Sequence, residues 1–193
     1  SRMLLRLREE FGRSISINRF IELPTISKLA TLVRGSGTEE VLSEQAMADA
    51  FRELDVQPLP VSRMGDVHKV IVTGANSFVG VHIVEALLGW GATEVACLVR
   101  DGGGQSAAER FADALRENRL EHLDLSRVRV YAADITRPLL GLAQEVYERL
   151  DREFGALVHN AANVNHVLDY ESLARDNVEP IFECLRLCEG RSK

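Results

Sequence analysis

Residues Val70-Ile-Val-Thr-Gly-Ala-Asn-Ser-Phe-Val-Gly80 decide how the rest of this 193-residue sequence is read. An apolar run breaks into a glycine-bearing turn and then resumes with helical periodicity, the pattern of a strand feeding a phosphate-cradling loop. The turn needs a residue without a side chain at Gly74. A helix starting near Phe78 aims its free N–H groups and positive dipole end at a pyrophosphate, and Gly80 lets that helix sit close on the sheet. One position is off-pattern: Ser77 stands where such a loop carries its middle glycine.

Working outward, strand and helix patterns alternate from Val67 onward, which predicts a parallel sheet with helices on both faces. Strands are expected at 69–73, 94–99, 128–132 and 156–160, and helices at 78–89, 106–118, 142–153 and 171–189. Right-handed crossovers then give the strand order 3-2-1-4. Val70-Ile-Val and Glu94-Val-Ala-Cys-Leu-Val99 are continuous apolar runs, as strands buried on both faces should be. The fold class is α/β, a partial Rossmann-like parallel sheet of four strands preceded by a short α-helical segment.

Before Val67 the reading is helical. Leu4, Leu7 and Phe11 make an amphipathic stripe that stops at Gly12. A second helix runs from Pro24 to Val33, with Ile26, Leu29, Ala30 and Val33 on one face and Gly35-Ser-Gly37 as its end. Thr38 to Pro60 reads as a third, acidic on its outer face and ended by Pro58 and Pro60.

Composition narrows the function classes. The apolar fraction is 46% and mean hydropathy is near zero, ordinary for a globular protein, and no apolar run is long enough to span a membrane. The first residues, Ser1-Arg-Met-Leu-Leu-Arg, have no signal-peptide pattern and suggest an excised segment of a cytoplasmic protein. Net charge is +4 over residues 1–35 and −5 over each of 36–66 and 67–193. The basic piece alternates arginine with leucine on a helical pattern, so nucleic acid is not the expected partner. Cys97, Cys184 and Cys188 have neither the number nor the neighbours for a disulfide framework or a zinc site, and are read as buried structural thiols.

Chemistry concentrates at the expected strand ends. The tip of the second strand carries Arg100, where an arginine accepts a 2′-phosphate and an acid would instead grip the ribose 2′-hydroxyl, so NADP(H) is expected although Asp101 follows. Arg110, one helix further, is a second candidate cation for that phosphate. Asp134 and Ile135 end the third strand where adenine would lie; Asp134 is equally suited to forming the turn before Thr136-Arg-Pro138. Asn160, Ala161 and Ala162 follow the fourth strand, small enough for a ribose to pack on the backbone. His159 and His166 flank that loop without a nucleophile at a useful spacing and are read as packing or loop polarity. Asn177 is read either as a brace for the loop or as an exposed helical asparagine.

Two resemblances gather these readings. LRLREEFGRSISINRFIELPTISKLATLV, ending at Val33, resembles the C-terminal half of an acyl or peptidyl carrier domain. VTGANSFVG, CLVR, AADI, HNAANVNHVLDY and LARDNVEPIFECLRLCEGRSK together resemble the N-terminal half of a thioester reductase domain, the extended short-chain-dehydrogenase relative that terminates some nonribosomal peptide and polyketide synthetases. Carboxylic acid reductases and aminoadipate reductases carry a similar domain. The resemblances imply a carrier tail over 1–35, a helical linker over 36–66 and the NADP(H)-binding part of a reductase over 67–193.

They also imply NADPH-dependent release of a carrier-bound acyl or peptidyl thioester as an aldehyde or alcohol, with upstream synthetase domains as partners. The phosphopantetheine would sit on a serine preceding Ser1. By motif, Thr73, Gly74, Ser77, Phe78 and Val79 would hold the pyrophosphate, Arg100 and Arg110 the 2′-phosphate, Asp134 and Ile135 the adenine, and Asn160 to Ala162 the ribose side. The family's Tyr-x-x-x-Lys set is absent: four residues after Tyr131, Tyr147 and Tyr170 stand Ile135, Asp151 and Ala174. The piece itself is therefore expected to hold the cofactor half without the catalytic set. A non-catalytic docking module for a carrier protein is the alternative of another class.

Overall fold

The computed structural model describes residues 25–34, 65–165, 168 and 170–189, together with 6, 9–11, 46, 48 and 49. The expected helices over 3–11 and 38–60 fall largely outside the described residues, as do His166 and the Gly35–Gly37 stop; 6, 9–11, 46, 48 and 49 are helical. The chain forms two compact units, residues 1–53 with 164–174, and residues 54–163 with 175–193.

In the first unit, helix α1 runs from Ile26 to Arg34, and three residues of the expected stripe, Ile26, Ala30 and Val33, have described side chains. Ala30 and Val33 are half-buried, whereas Ile26 is 86% exposed; as the first helical residue it lies a turn beyond the part of the stripe that is covered. Tyr170 donates its hydroxyl to Asp49 Oδ2 at 2.8 Å.

The second unit is built on β1 (Asp66–Thr73), α2 (Phe78–Trp90), β2 (Glu94–Val99), α3 (Ala107–Glu117), β3 (Val128–Ala132), α4 (Gln144–Glu153) and β4 (Phe154–His159), followed by α5 (Tyr170–Asn177), whose residues up to Ala174 belong to the first unit, and α6 (Glu179–Glu189). The four strands pair in parallel in the order β3-β2-β1-β4, as the crossover argument requires. Side chains alternate between two cores. Val70, Val72, Val95, Cys97 and Val99 meet Val84 of α2 and Phe111 of α3 on one face. Ile71, Ala96 and Leu98 meet Leu150, Phe154, Cys184 and Leu187 on the other.

Several boundaries differ from the sequence reading, among them β4, which runs from Phe154 to His159 rather than over 156–160, and α4, which starts at Gln144 rather than 142. β1 begins at Asp66 rather than 69, because its first three residues are exposed and Val67 stands between polar Asp66 and His68, so they add nothing to the continuous apolar run. The single helix expected over 171–189 is two helices divided at Val178. Pro180 has no N–H to give and restrains Glu179 before it, so the ladder restarts with Ile181 donating to the Val178 carbonyl at 3.1 Å.

At the strand starts, Arg149 grips Glu94 with 2.7 Å bonds to both carboxylate oxygens and donates to the Tyr131 hydroxyl, while Lys69 bonds Glu153 at 3.1 Å. These charges close the edge of the sheet opposite the glycine turn.

Candidate functional site

The C-terminal ends of β1 and β4 form the crevice where the strand order reverses, the place at which open α/β sheets take their ligands. Thr73, fully buried, is its hub. Thr73 Oγ1 accepts from the backbone N–H groups of Asn160 and Ala161, each at 3.1 Å, and lies 2.8 Å from His159 Nδ1. Both lone pairs of the hydroxyl are thereby used, and its proton goes to His159. Burial holds His159 below its ordinary pKa, in keeping with a neutral ring. Its packing role follows: Nδ1 is also 3.6 Å from Cys184 Sγ.

Gly74 then turns the chain with φ of +62°, and a Cβ there would stand 2.7 Å from Ala161 Cα. Its N–H donates to the Leu98 carbonyl at 3.1 Å, tying the turn to β2. A Cβ on Gly80 would stand 2.3 Å from the Gly74 carbonyl oxygen, so glycine is obligatory where α2 packs on the turn.

Ser77 is the N-cap of α2. Its φ of −79° and ψ of 165° are ordinary extended values, so the position needs no glycine. Ser77 Oγ accepts from Gly80 N at 2.9 Å and from Asn160 Nδ2 at 2.9 Å. Asn160 Nδ2 also donates to the Gly74 carbonyl at 3.0 Å. The serine side chain thus lies against the helix end, and the N–H groups of Phe78 and Val79, the first two helical residues, have no partner inside the helix. Phe78 is 70% and Val79 54% exposed.

The rim is formed by the ends of β2 and β3. Arg100 is exposed directly after β2. The Arg110 guanidinium donates to the Arg100 carbonyl, a main-chain partner that residue type and spacing did not reveal. Asp134 Oδ1 accepts from Thr136 N at 3.1 Å and from Thr136 Oγ1 at 2.8 Å, and Asp134 Oδ2 pairs with Arg137 at 3.3 Å. Burial alone would raise the Asp134 pKa, but the Thr136 bonds and the charges of Arg100 and Arg137 hold it below the ordinary value. The turn reading of Asp134 is met, and Ile135 beside it is half-buried.

Behind the loop, Asn163 and Asn177 exchange two hydrogen bonds. Asn163 N donates to Asn177 Oδ1 at 2.7 Å and Asn177 Nδ2 donates to the Asn163 carbonyl at 3.1 Å, while Asn163 Nδ2 reaches Asp176 at 2.7 Å. Asn177 is a brace, not an exposed asparagine. None of the three cysteines is in a disulfide; Cys97 and Cys184 are buried, with thiols pushed up to about 12 by burial, whereas Cys188, expected to be buried with them, is half-buried. Among the described residues no group of His, Cys, Asp or Glu is placed to hold a metal ion, and no helix is long and apolar enough to cross a membrane.

Sheet order, glycine turn and open helix end define a nucleotide-binding domain of the Rossmann-like class. Residues 72–193 match the NAD-binding family described as Male sterility protein, and the chain belongs to that family. It is 31% identical over 202 residues to the isonitrile lipopeptide synthase of Streptomyces coeruleorubidus, covering 97% of this chain and 14% of that protein. It is 28% identical over 202 residues to the nonribosomal peptide synthetase asaC of Aspergillus flavus, covering 99% of this chain and 20% of the relative. The chain therefore spans a small part of these relatives. Among solved structures, the terminal R domain from the myxalamid PKS-NRPS biosynthetic pathway superposes with a TM-score of 0.62 at 31% identity, over 74% of this chain and 38% of that one. The reductase (R) domain of a nonribosomal peptide synthetase from Mycobacterium tuberculosis gives 0.55 at 28% identity, over 68% and 33%.

Proposed function

We propose that this chain is the cofactor-binding part of a reductase that uses NADPH to release a carrier-bound acyl or peptidyl thioester as an aldehyde or alcohol. The observation that carries the reading is the turn from Thr73 to Gly80, where α2 starts directly after the end of β1 and the N–H groups of its first residues, Phe78 and Val79, have no partner inside the helix. The donor set suits a dinucleotide. Phe78 and Val79 N–H groups would take pyrophosphate oxygens, and Ser77, with both lone pairs engaged by Gly80 and Asn160, has its hydroxyl proton left to donate to the same group. Arg100 would pair with the 2′-phosphate with Arg110 beside it, Asp134 and Ile135 would border the adenine, and the small residues Ala161 and Ala162 after Asn160 would admit the ribose.

When bound, NADPH supplies a hydride to the thioester carbonyl. This chain's residues bind and orient it: Thr73 and Asn160 hold β4's loop against the glycine turn, and Asn163 with Asn177 holds the continuation of that loop. The likeness to R domains and the synthetase relatives support the thioester substrate. Residues 1–35 are assigned as the tail of the carrier domain that would present it on phosphopantetheine, 36–66 as the linker and 67–193 as the reductase part. Free cysteines suit a reducing, cytoplasmic setting.

Fluorescence titration with NADPH and NADH tests the reading. NADPH should bind at least about tenfold more tightly, the yield of one charge-assisted phosphate contact. Arg100→Ala should remove most of that difference with NADH affinity unchanged; equal binding of the two nucleotides by the unsubstituted chain would overturn the assignment.

A further inference from the structure

The residue after Arg100 is an acid, and an acid at the tip of β2 ordinarily favours a ribose 2′-hydroxyl over a 2′-phosphate. The loop that follows resolves this conflict. Asp101 Oδ1 accepts from the Ala107 N–H at 2.6 Å, across a six-residue span. Gly102 and Gln105 exchange two main-chain bonds of 3.1 Å each, so the loop is a closed hairpin tip. Gly103 and Gly104, with φ of +62° and +79°, supply the backbone that such a tip needs. Ala107 is the first residue of α3, at whose start Ser106 and Glu109 form a capping box: Ser106 N donates to Glu109 Oε2 at 2.8 Å and Glu109 N to Ser106 Oγ at 3.3 Å. The Asp101 carboxylate is thus the partner of a specific helix N–H and lies at the positive end of the α3 dipole. On the other side of the loop, Arg110 holds the Arg100 carbonyl. Asp101 and Glu109 are committed to α3, and Asp134, whose carboxyl also feels the Arg100 charge, is bonded by Thr136 and paired with Arg137, so Arg100 is left exposed with none of the three as a hydrogen-bonded partner.

We propose that Asp101 is a specificity-determining positioning residue for the adenosine 2′-phosphate. Its bond to Ala107 turns a charge that would repel the phosphate onto the helix end and closes the loop that presents Arg100. This rests on the chain binding NADPH through Arg100. Released from Ala107, the carboxylate would lie beside Arg100, neutralise it and offer an acceptor to a ribose 2′-hydroxyl.

Ala107→Pro isolates the bond, because proline at the first helical position removes the N–H and keeps helical φ, and Ser106, with φ of −71° and ψ of 161°, is already in the conformation favoured before proline. In NADPH and NADH titrations of the full chain, Ala107→Pro should weaken NADPH about tenfold and leave NADH equal or tighter, since one charge-assisted contact is neutralised. Asp101→Asn keeps the acceptor oxygen and should hold NADPH within about twofold of the unsubstituted chain. Combining Asp101→Asn with Ala107→Pro should restore NADPH binding, because the freed side chain is then uncharged. Unchanged NADPH affinity in Ala107→Pro overturns the proposal, and so does a double variant as weak as the single one. An unsubstituted chain that fails to prefer NADPH removes the underlying reading instead, which separates the two failures.

Discussion

Asn160, at the end of β4, places its side-chain Nδ2 2.9 Å from Ser77 Oγ, the cap of α2. The bond crosses from one side of the crevice to the other and gives the off-pattern serine two jobs, capping a helix and anchoring the neighbouring loop. Ser77→Ala should therefore lower stability by about 1–2 kcal/mol, the cost of a lost N-cap plus an unpaired amide. Ser77→Gly, which restores the usual loop residue, should lose less stability than alanine but bind NADPH more weakly, because the hydroxyl donor is gone. Chemical denaturation and nucleotide titration of both variants measure this; an alanine variant as stable as the parent would show that the cap contributes nothing.

The reciprocal pair formed by Asn163 and Asn177 makes a second prediction. Asn177→Ala removes the acceptor of the Asn163 N–H and the donor to its carbonyl together. Two half-buried groups without partners should cost about 1–3 kcal/mol. The loss is local, so hydrogen exchange at the Asn163 amide should quicken well beyond the change seen at β1 amides. Uniform acceleration throughout the sheet would mean that the pair supports the whole domain and not the loop.

The sheet could be read in advance because strands buried on both faces are runs of Val, Ile, Leu and Cys, and because parallel crossovers leave few orders to choose from. The glycine turn and Arg100 could be placed because their chemistry lies at fixed offsets from strand ends. Three features escaped for physical reasons. Apolar periodicity continues through Val178, so the break before Pro180 is masked by residues that still face the core. Thr73 and His159, 86 positions apart in sequence, meet across β1 and β4, and Asn160 and Ser77 meet at a separation of 83; no local pattern encodes such pairs. Leu139 and Leu140 adopt φ of 55° and 57°, values that residue type argues against, held by Leu140's full burial and by Asp134 N donating to its carbonyl at 2.9 Å.

A left-handed residue at the end of α3 offers a stabilising substitution. Arg119 has φ of +59°, and Leu120 N donates to the Leu115 carbonyl at 2.8 Å, closing the last turn in the manner that ordinarily places glycine at this position. Arg119 is exposed. Arg119→Gly should raise stability by about 1 kcal/mol through relief of the left-handed strain, visible as a higher thermal midpoint. An unchanged or lower midpoint would show that the arginine side chain contributes as much as its backbone costs.

Thr73 and His159 couple the crevice to pH. With Asn160 and Ala161 N–H groups on both lone pairs of Thr73 Oγ1, the hydroxyl proton points at His159 Nδ1, which must then be an acceptor. A protonated ring would set N–H against O–H at 2.8 Å. Burial acts in the same direction and lowers the His159 pKa from its ordinary 6.5. In the unfolded chain the ring takes up a proton near 6.5, whereas the folded protein resists, so the unfolded state binds more protons as the pH falls. The contribution of neutral His159 to stability is therefore complete above 6.5 and declines below it, until the folded protein is protonated as well. Nitrogen chemical shifts should report a neutral ring with its proton on Nε2 at a pH where free histidine is half-charged. The decline in stability between about pH 7 and 5 should be shallower in His159→Gln. In Thr73→Val, where two amides lose their acceptor, stability should fall by about 1–3 kcal/mol at neutral pH, and the His159 ring should titrate closer to 6.5. A His159 that titrates at or above 6.5 in the unsubstituted protein would contradict the hydrogen-bond assignment.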